Sequence, residues 1–174
     1  MKLTKLMNGI IVPILFAIYI YLLIKVILFK FGTMNVSFLG HQLQKNVLNP
    51  ENMIERLRSG NLSPFQEISR NIQGSSSIDF INLVGNIALF IPFGIFLLLM
   101  SRNKQISFIS VFILSFGLSL SLECAQVIFS IGTFDVDDLI LNVSGAMLGF
   151  VIFKVFMMCI GIKSKVIQDS KSKA

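Results

Sequence analysis

SLSLECAQVIFSIGTFDVDDLILNVSGAMLG, residues 119–149, places two long apolar runs on either side of a short acidic segment. Its carboxylate and amide residues are Glu123, Gln126, Asp135, Asp137, Asp138 and Asn142. Such groups are unfavourable inside an apolar span, because hydrocarbon offers them no water. An ionisable residue at that depth therefore indicates a functional site, and the rest of the chain is expected to supply its partners.

Four apolar segments of the chain are each long enough, at about 20 residues or more, to cross roughly 30 Å of hydrocarbon as a helix. They cover residues 10–29, 80–100, 106–129 and 138–160. Of the 174 residues, 54% are hydrophobic and only 14% are charged, which excludes an ordinary soluble domain. We predict an all-α integral membrane protein with four transmembrane helices in one domain, residues 1–160, followed by a basic cytoplasmic tail, residues 161–174.

The distribution of basic residues predicts the orientation in the membrane. The net charge is +6. Much of the excess lies before the first span, after the second span and at the end of the chain: Lys2, Lys5, Arg102, Lys104, Lys163, Lys165, Lys171 and Lys173. The positive-inside rule then places both termini in the cytoplasm. We interpret the basic excess as a topology signal and a contact with anionic lipid, and expect the bilayer rather than nucleic acid as partner.

The long loop between the first two spans, residues 30–79, is predicted to lie on the extracytoplasmic side. Asn49-Pro50-Glu51 is typical of a helix start, with an N-cap side chain, a proline at the first helical position and an acid near the positive end of the dipole. Gly60 is typical of a helix end. Apolar residues share one face of this segment and arginines the other, which predicts a short helix on the bilayer surface.

Polar and small residues lie on one face of each of three predicted spans. On span two these are Asn82 and Asn86; on span three, Ser115, Ser119, Glu123 and Gln126; on span four, Asp138, Asn142, Gly145 and Gly149. The two glycines are spaced as a contact surface for another helix. In the deduced orientation, Asn86 and Glu123 lie roughly 9 Å below the outer surface and Asn142 about 6 Å below it. The sequence therefore predicts one outward-opening polar layer in the outer half of the bilayer.

This layer supplies the candidate site residues. The candidates for ligand binding are Asn82, Asn86, Glu123, Gln126, Asp135, Asp137, Asp138 and Asn142. Glu123 and Asp138 are the candidates for a catalytic role. Asp135, Asp137 and Asp138 are the candidates for holding a divalent cation, because hard cations take carboxylate oxygens as ligands.

Several motifs of the chain occur together, and in the same order, in a known family. They are Asn61-Leu62-Ser63-Pro64-Phe65, Asn82-Leu83-Val84-Gly85-Asn86, Phe90-Ile91-Pro92-Phe93-Gly94, Glu123-x-x-Gln126 and Phe134-Asp135-x-Asp137-Asp138 running to Asn142-x-x-Gly145. On these motifs, which cover residues 61–150, the chain resembles the VanZ-like family of bacterial membrane proteins. The resemblance implies a multi-pass plasma-membrane protein that affects the cell envelope or susceptibility to the glycopeptide teicoplanin. It implies no particular reaction.

One position departs from the family's pattern. Many members carry an arginine three residues before the first aspartate of the motif, where this chain has Gly132. If that arginine neutralises the acids or binds a phosphate, this chain must use another cation. Arg70 and a metal ion are the candidates.

Several functions remain open at this point. The first is a membrane protein that binds a cell-wall precursor, a lipid carrier or a glycopeptide at its outer face. The alternative is an intramembrane enzyme for a lipid-linked isoprenoid phosphate, with Glu123 as acid or base and a divalent cation on the phosphate. A third is a proton- or ion-coupled carrier in which Glu123 titrates. A purely structural role, with acids as caps and amides as links between helices, accounts for Asp135 and Asp138 but not for Glu123.

Overall fold

The computed structural model describes residues 7–29, 35–73, 77–101 and 106–172. A π-helical turn, Met7–Ile11, leads into α1 (Val12–Phe29); α2 (Val36–Leu48), α3 (Glu51–Arg58) and α4 (Gln66–Gln73) belong to the long loop; α5 (Ser77–Met100), α6 (Phe108–Ile128) and α7 (Val136–Ser172) follow. An isolated parallel bridge joins Asn61 to Asp135. The all-α prediction is confirmed for these ranges.

Four of these helices contain a segment long and apolar enough to cross a membrane, as predicted. The segments are Gly9–Phe29, Asn82–Met100, Phe108–Ile128 and Val136–Ile160. At most 28% of the most apolar window of each segment is buried inside the protein. The rest is an extended apolar surface of the kind that contacts lipid. α7 continues beyond its apolar segment into the predicted basic tail, and the cytoplasmic placement of both termini stays a prediction.

The four spans meet in a shared core. Its buried members are Leu23 of α1, Phe90 and Phe93 of α5, Leu122 of α6 and Ala146 of α7. The hydroxyl of Tyr19 in α1 adds a polar link, because it donates to the carbonyl oxygen of Leu89 in α5 (2.7 Å). Each of the four helices is therefore fixed to the same apolar centre.

Helices α5 and α7 pack backbone against backbone. A Cβ on Gly145 would collide with the carbonyl oxygen of Ile87, and a Cβ on Gly149 would collide with that of Ile91. Small residues permit this approach, which maximises van der Waals contact where lipid removes most of the hydrophobic drive. The glycine pair predicted as a helix contact surface is thus confirmed, and it sets α7 against α5.

The long loop contains three described helices where the sequence predicted one. The predicted helix is α3, but the assignment of Asn49 as its N-cap is wrong. Pro50 occupies the cap position without a side-chain hydrogen bond. Asn49 instead ends α2, where its N–H donates to the carbonyl oxygen of Lys45 (2.9 Å). Because α2 runs up to this point, Asn49 is committed to closing the preceding helix.

Candidate functional site

The start of α7 is fixed by Asp135 and Asn61. The carboxylate of Asp135 accepts the N–H of Asp137 (2.8 Å), which is the N-cap arrangement predicted for it. The same oxygen accepts an amide N–H of Asn61 (2.9 Å). The carbonyl oxygen of Asn61 in turn accepts the N–H of Val136 (2.9 Å). The long loop is therefore joined to the first turn of the last membrane helix.

Asp137 is buried, with 1% of its surface exposed, and it accepts three backbone donors from the long loop. Its Oδ1 accepts the N–H of Phe65 (2.5 Å), and its Oδ2 accepts those of Glu67 (2.7 Å) and Ile68 (3.1 Å). Phe65 has φ 67°, a left-handed conformation that is rare for an aromatic residue. Backbone of this kind can turn successive N–H groups toward an anion. The anion held at the start of α4 is a carboxylate of this chain.

Glu123, Asp138 and Asn86 extend the network into the spans. Glu123 is 1% exposed, and its Oε2 accepts the N–H of Asp135 (2.9 Å). Asp138 accepts an amide N–H of Asn86 in α5. Because Glu123 precedes the last residue of α6 by five positions, it lies roughly 8 Å below that end of the helix. Three membrane helices thus contribute polar side chains at neighbouring depths.

A further polar contact joins α6 to α7. Asn142 donates from Nδ2 to the hydroxyl oxygen of Ser119 (2.9 Å), and both residues are buried. The Oδ1 atom of Asn142 is also buried, and it has no hydrogen-bond partner in the part of the chain that the structure describes. An unpaired buried acceptor is unfavourable. Asn142 therefore offers a hydrogen bond to any donor that reaches it.

Two of the predicted ligand-binding residues lie apart from the carboxylates. Gln126 donates from Nε2 to the carbonyl oxygen of Ile27 (3.2 Å), so it joins α6 to α1. Asn82 is exposed, one helical turn from Asn86. The structure therefore brings together six of the eight predicted residues and leaves these two outside the group.

The three aspartates considered as metal ligands do not converge. Asp135 faces Asn61, Asp137 faces the start of α4, and Asp138 faces Asn86. Within the described ranges, no three His, Cys, Asp or Glu side chains are grouped so that they could hold a metal ion. Calcium and magnesium sites gather several oxygens at roughly 2.0–2.6 Å from one point. The described side-chain positions do not fit such a cation.

The cation beside Gly132 is Arg56 of α3, not Arg70. Arg56 donates from Nη1 to the carbonyl oxygen of Gly132 (3.1 Å). Arg70 lies on the exposed face of α4, where it forms an ion pair with Glu67 (2.5 Å), one turn earlier. A Cβ on Gly132 would lie 3.1 Å from Oε1 of Gln126, so a larger residue there requires Gln126 to move.

Sequence reasoning missed two members of the network. Asn61 opens the Asn61–Phe65 motif, and Ser119 lies one turn before Glu123 on the same face of α6. Both patterns were visible and could have indicated the contacts. Arg56 was predicted to face away from the apolar side of its helix, but no local pattern connects it to Gly132, 76 residues later.

A comparison with protein families matches the chain over residues 16–157 to the model described as VanZ/LLP1. The match reaches into all four membrane-capable helices and contains the whole polar network. The chain belongs to the VanZ/LLP1 family. The Enterococcus faecium protein named Protein VanZ is 35% identical to this VanZ-like chain over 139 residues, which are 80% of this chain and 71% of that protein. No solved structure matches the chain.

The resemblance found in the motifs is therefore confirmed. The chain is a VanZ-like, multi-pass membrane protein, and its family is linked to glycopeptide resistance. The VanZ-like motifs coincide with the contacts described above: Asn61–Phe65 supplies the backbone donors, and Phe134–Asp138 supplies their acceptors. The two motifs are separated in sequence but form one junction.

Proposed function

We propose that this VanZ-like protein acts in the bacterial plasma membrane, where it alters the susceptibility of the cell envelope to glycopeptides of the teicoplanin type. Membership of the family supports this role. The positive-inside rule places the long loop on the extracytoplasmic side, from which glycopeptides approach the wall. The proposed partner is a cell-wall precursor, a lipid carrier or the glycopeptide itself.

The site of action in this proposal is a polar layer in the outer half of the bilayer that opens toward the long loop. It consists of Asn86, Glu123, Asp138 and Asn142. The observation that carries the proposal is the buried carboxylate of Glu123 within a membrane-capable helix, close to the unpaired amide oxygen of Asn142 on the facing helix. Wall precursors and glycopeptides are rich in N–H and O–H donors, which are the groups that such acceptors bind.

No observation on the described residues favours the alternative of a metal-dependent enzyme for a lipid-linked phosphate. The aspartate carboxylates point to separate partners, and each accepts a donor from this chain. Asp135 and Asp137 are well explained as structural acceptors. Glu123 and Asn142 are the members of the layer that capping does not explain.

The proposal is tested by changing the amount of the protein in a glycopeptide-susceptible Gram-positive host. We expect graded expression to shift the minimal inhibitory concentration of teicoplanin more than that of vancomycin. Membrane levels are measured by an epitope tag, and a strain carrying the empty expression plasmid is the control. An unchanged susceptibility to both drugs, with the protein present in the membrane, would contradict the proposal.

A further inference from the structure

A polar cavity of about 370 Å³ lies beside the junction, between α2, α3 and the turn that follows α6. It is distinct from the carboxylate layer, because none of the layer's residues lines it. Its lining includes Gln42, Lys45, Asn46, Arg56, Ser130 and Thr133. The volume is at the lower end of the roughly 300–1,000 Å³ that is usual for small-molecule sites.

Asn46 gives this cavity an unused hydrogen-bond acceptor. The residue is 1% exposed, and its Nδ2 donates to the carbonyl oxygen of Ile128 (2.7 Å) and to the hydroxyl oxygen of Ser130 (2.8 Å). Both amide hydrogens are thereby engaged and the amide orientation is fixed. Its Oδ1 is buried and has no partner within the described residues. A ligand in the cavity can satisfy this atom only with an N–H or O–H group.

The charged residues of the lining favour an anion. Lys45 and Arg56 contribute two positive charges and Glu55 one negative charge. Arg56 is held in place by its hydrogen bond to Gly132, which uses one of the five N–H donors of the guanidinium. A fixed guanidinium with a neighbouring ammonium is a common arrangement for binding a phosphate group.

The position of the cavity indicates a ligand from the bilayer. Ser130 lies two residues after Ile128, where the membrane-capable segment of α6 ends. When that segment spans the bilayer, the cavity lies at the level of the lipid headgroups. Apolar side chains on the two lining helices are exposed beside it: Val47 (67%), Ile54 (47%) and Leu57 (40%). Such side chains can contact the acyl region next to a bound headgroup.

We propose that this cavity binds a glycerol phosphodiester, supplied as the headgroup of an anionic glycerophospholipid such as phosphatidylglycerol. Lys45 and Arg56 bind the phosphodiester, and a headgroup hydroxyl donates to Oδ1 of Asn46. The site is independent of the carboxylate layer and does not rest on the proposed function. It requires no reaction.

The test uses the full chain, purified in detergent, with lipid binding measured by native mass spectrometry. Three lipids with the same acyl chains are compared: phosphatidylglycerol, phosphatidylmethanol, which keeps the anionic phosphodiester but lacks headgroup hydroxyls, and phosphatidylcholine, which has no net charge. We expect phosphatidylglycerol to bind most tightly. The preference over phosphatidylmethanol reports the acceptor of Asn46, and the preference of phosphatidylmethanol over phosphatidylcholine reports the cations.

Charge variants locate the binding. Lys45→Gln is expected to raise the dissociation constant of phosphatidylglycerol about fivefold, the usual effect of one basic residue near an anionic lipid. Arg58→Gln is the matched control, because it removes the same charge from an exposed residue of α3 that does not line the cavity. Arg56→Gln is expected to weaken binding further. Lys45→Gln alone decides the test if the Arg56 variant fails to fold.

Soluble glycerophosphoglycerol distinguishes the two sources of the headgroup. Displacement of the lipid by this compound supports the site and points to a soluble ligand. Selective lipid binding without displacement supports the site and a ligand from the bilayer. Equal weakening by Lys45→Gln and Arg58→Gln, or equal binding of the three lipids, would overturn the proposal.

Discussion

Asp137→Asn is the substitution whose effect follows most directly from the structure. The carboxylate of Asp137 accepts the N–H of Phe65 on one oxygen and those of Glu67 and Ile68 on the other. Asparagine has nearly the same shape but only one acceptor oxygen. If that oxygen faces Glu67 and Ile68, the amide NH₂ faces the N–H of Phe65, and two donors oppose each other.

The size of the effect can be estimated from these contacts. A hydrogen bond to a charged group contributes about 1.5–3 kcal/mol, and a buried donor left without a partner costs about 1–3 kcal/mol. At least one of the three bonds is lost and the others become neutral. We therefore expect the local stability of the segment from Phe65 through the start of α4 to fall by about 2–4 kcal/mol. Amide exchange through local opening then accelerates about 30- to 700-fold.

Hydrogen exchange with mass spectrometry, on peptides that cover residues 62–73, measures this change. Glu67→Gln is the matched control, because it neutralises a carboxylate in the same segment but leaves the backbone donor of Glu67 in place. The ion pair of Glu67 with Arg70 is largely exposed, so its loss should alter stability by less than about 1 kcal/mol. Equal exchange in the Asp137→Asn and Glu67→Gln proteins would refute the role assigned to Asp137.

Two further predictions concern packing and orientation. Gly145→Ala should lower the melting temperature and the membrane level, because the new Cβ collides with the carbonyl oxygen of Ile87; Gly117→Ala, with open space around its Cβ position, should be neutral in the same thermal-melt assay. With both native cysteines replaced by serine, a cysteine at exposed Gln44 should react with a membrane-impermeant thiol reagent on intact cells and one at Asn103 should not. The reverse labelling would mean that the loop lies in the cytoplasm.

The four membrane helices could be predicted from the sequence because their signal is local. A long apolar segment needs no partner to be recognised, since hydrocarbon requires each segment to satisfy its own backbone. The N-cap role of Asp135 was local as well, because its acceptor and the N–H of Asp137 are two residues apart. The glycine spacing of Gly145 and Gly149 likewise indicated a close contact, although not which helix provides it.

The missed features depend on distant residues. α4 starts on a carboxylate 70 residues away, so its own sequence does not reveal what stabilises its first turn. α2 does have a local start, because the side chain of Asn35 accepts the N–H of Phe38. Gly40 within α2 weakens that signal, since glycine disfavours a helix by about 1 kcal/mol relative to alanine. The buried position of Asn46 appears only when α2 is packed against the end of α6.

The most direct test of the proposed site is the teicoplanin susceptibility of a strain that carries Glu123→Gln at the same membrane level as the parent protein. Glutamine keeps the shape of the side chain and an oxygen that can accept the N–H of Asp135. Polar contacts between membrane helices contribute only about 0.6–2 kcal/mol each, so a purely structural Glu123 would tolerate the change. Ser115→Ala, whose hydroxyl donates only to carbonyl oxygens of its own helix, is the control on the same face. We predict that Glu123→Gln accumulates normally and loses the parent's effect on teicoplanin susceptibility, while Ser115→Ala retains it; full retention by Glu123→Gln would contradict a functional carboxylate in the layer.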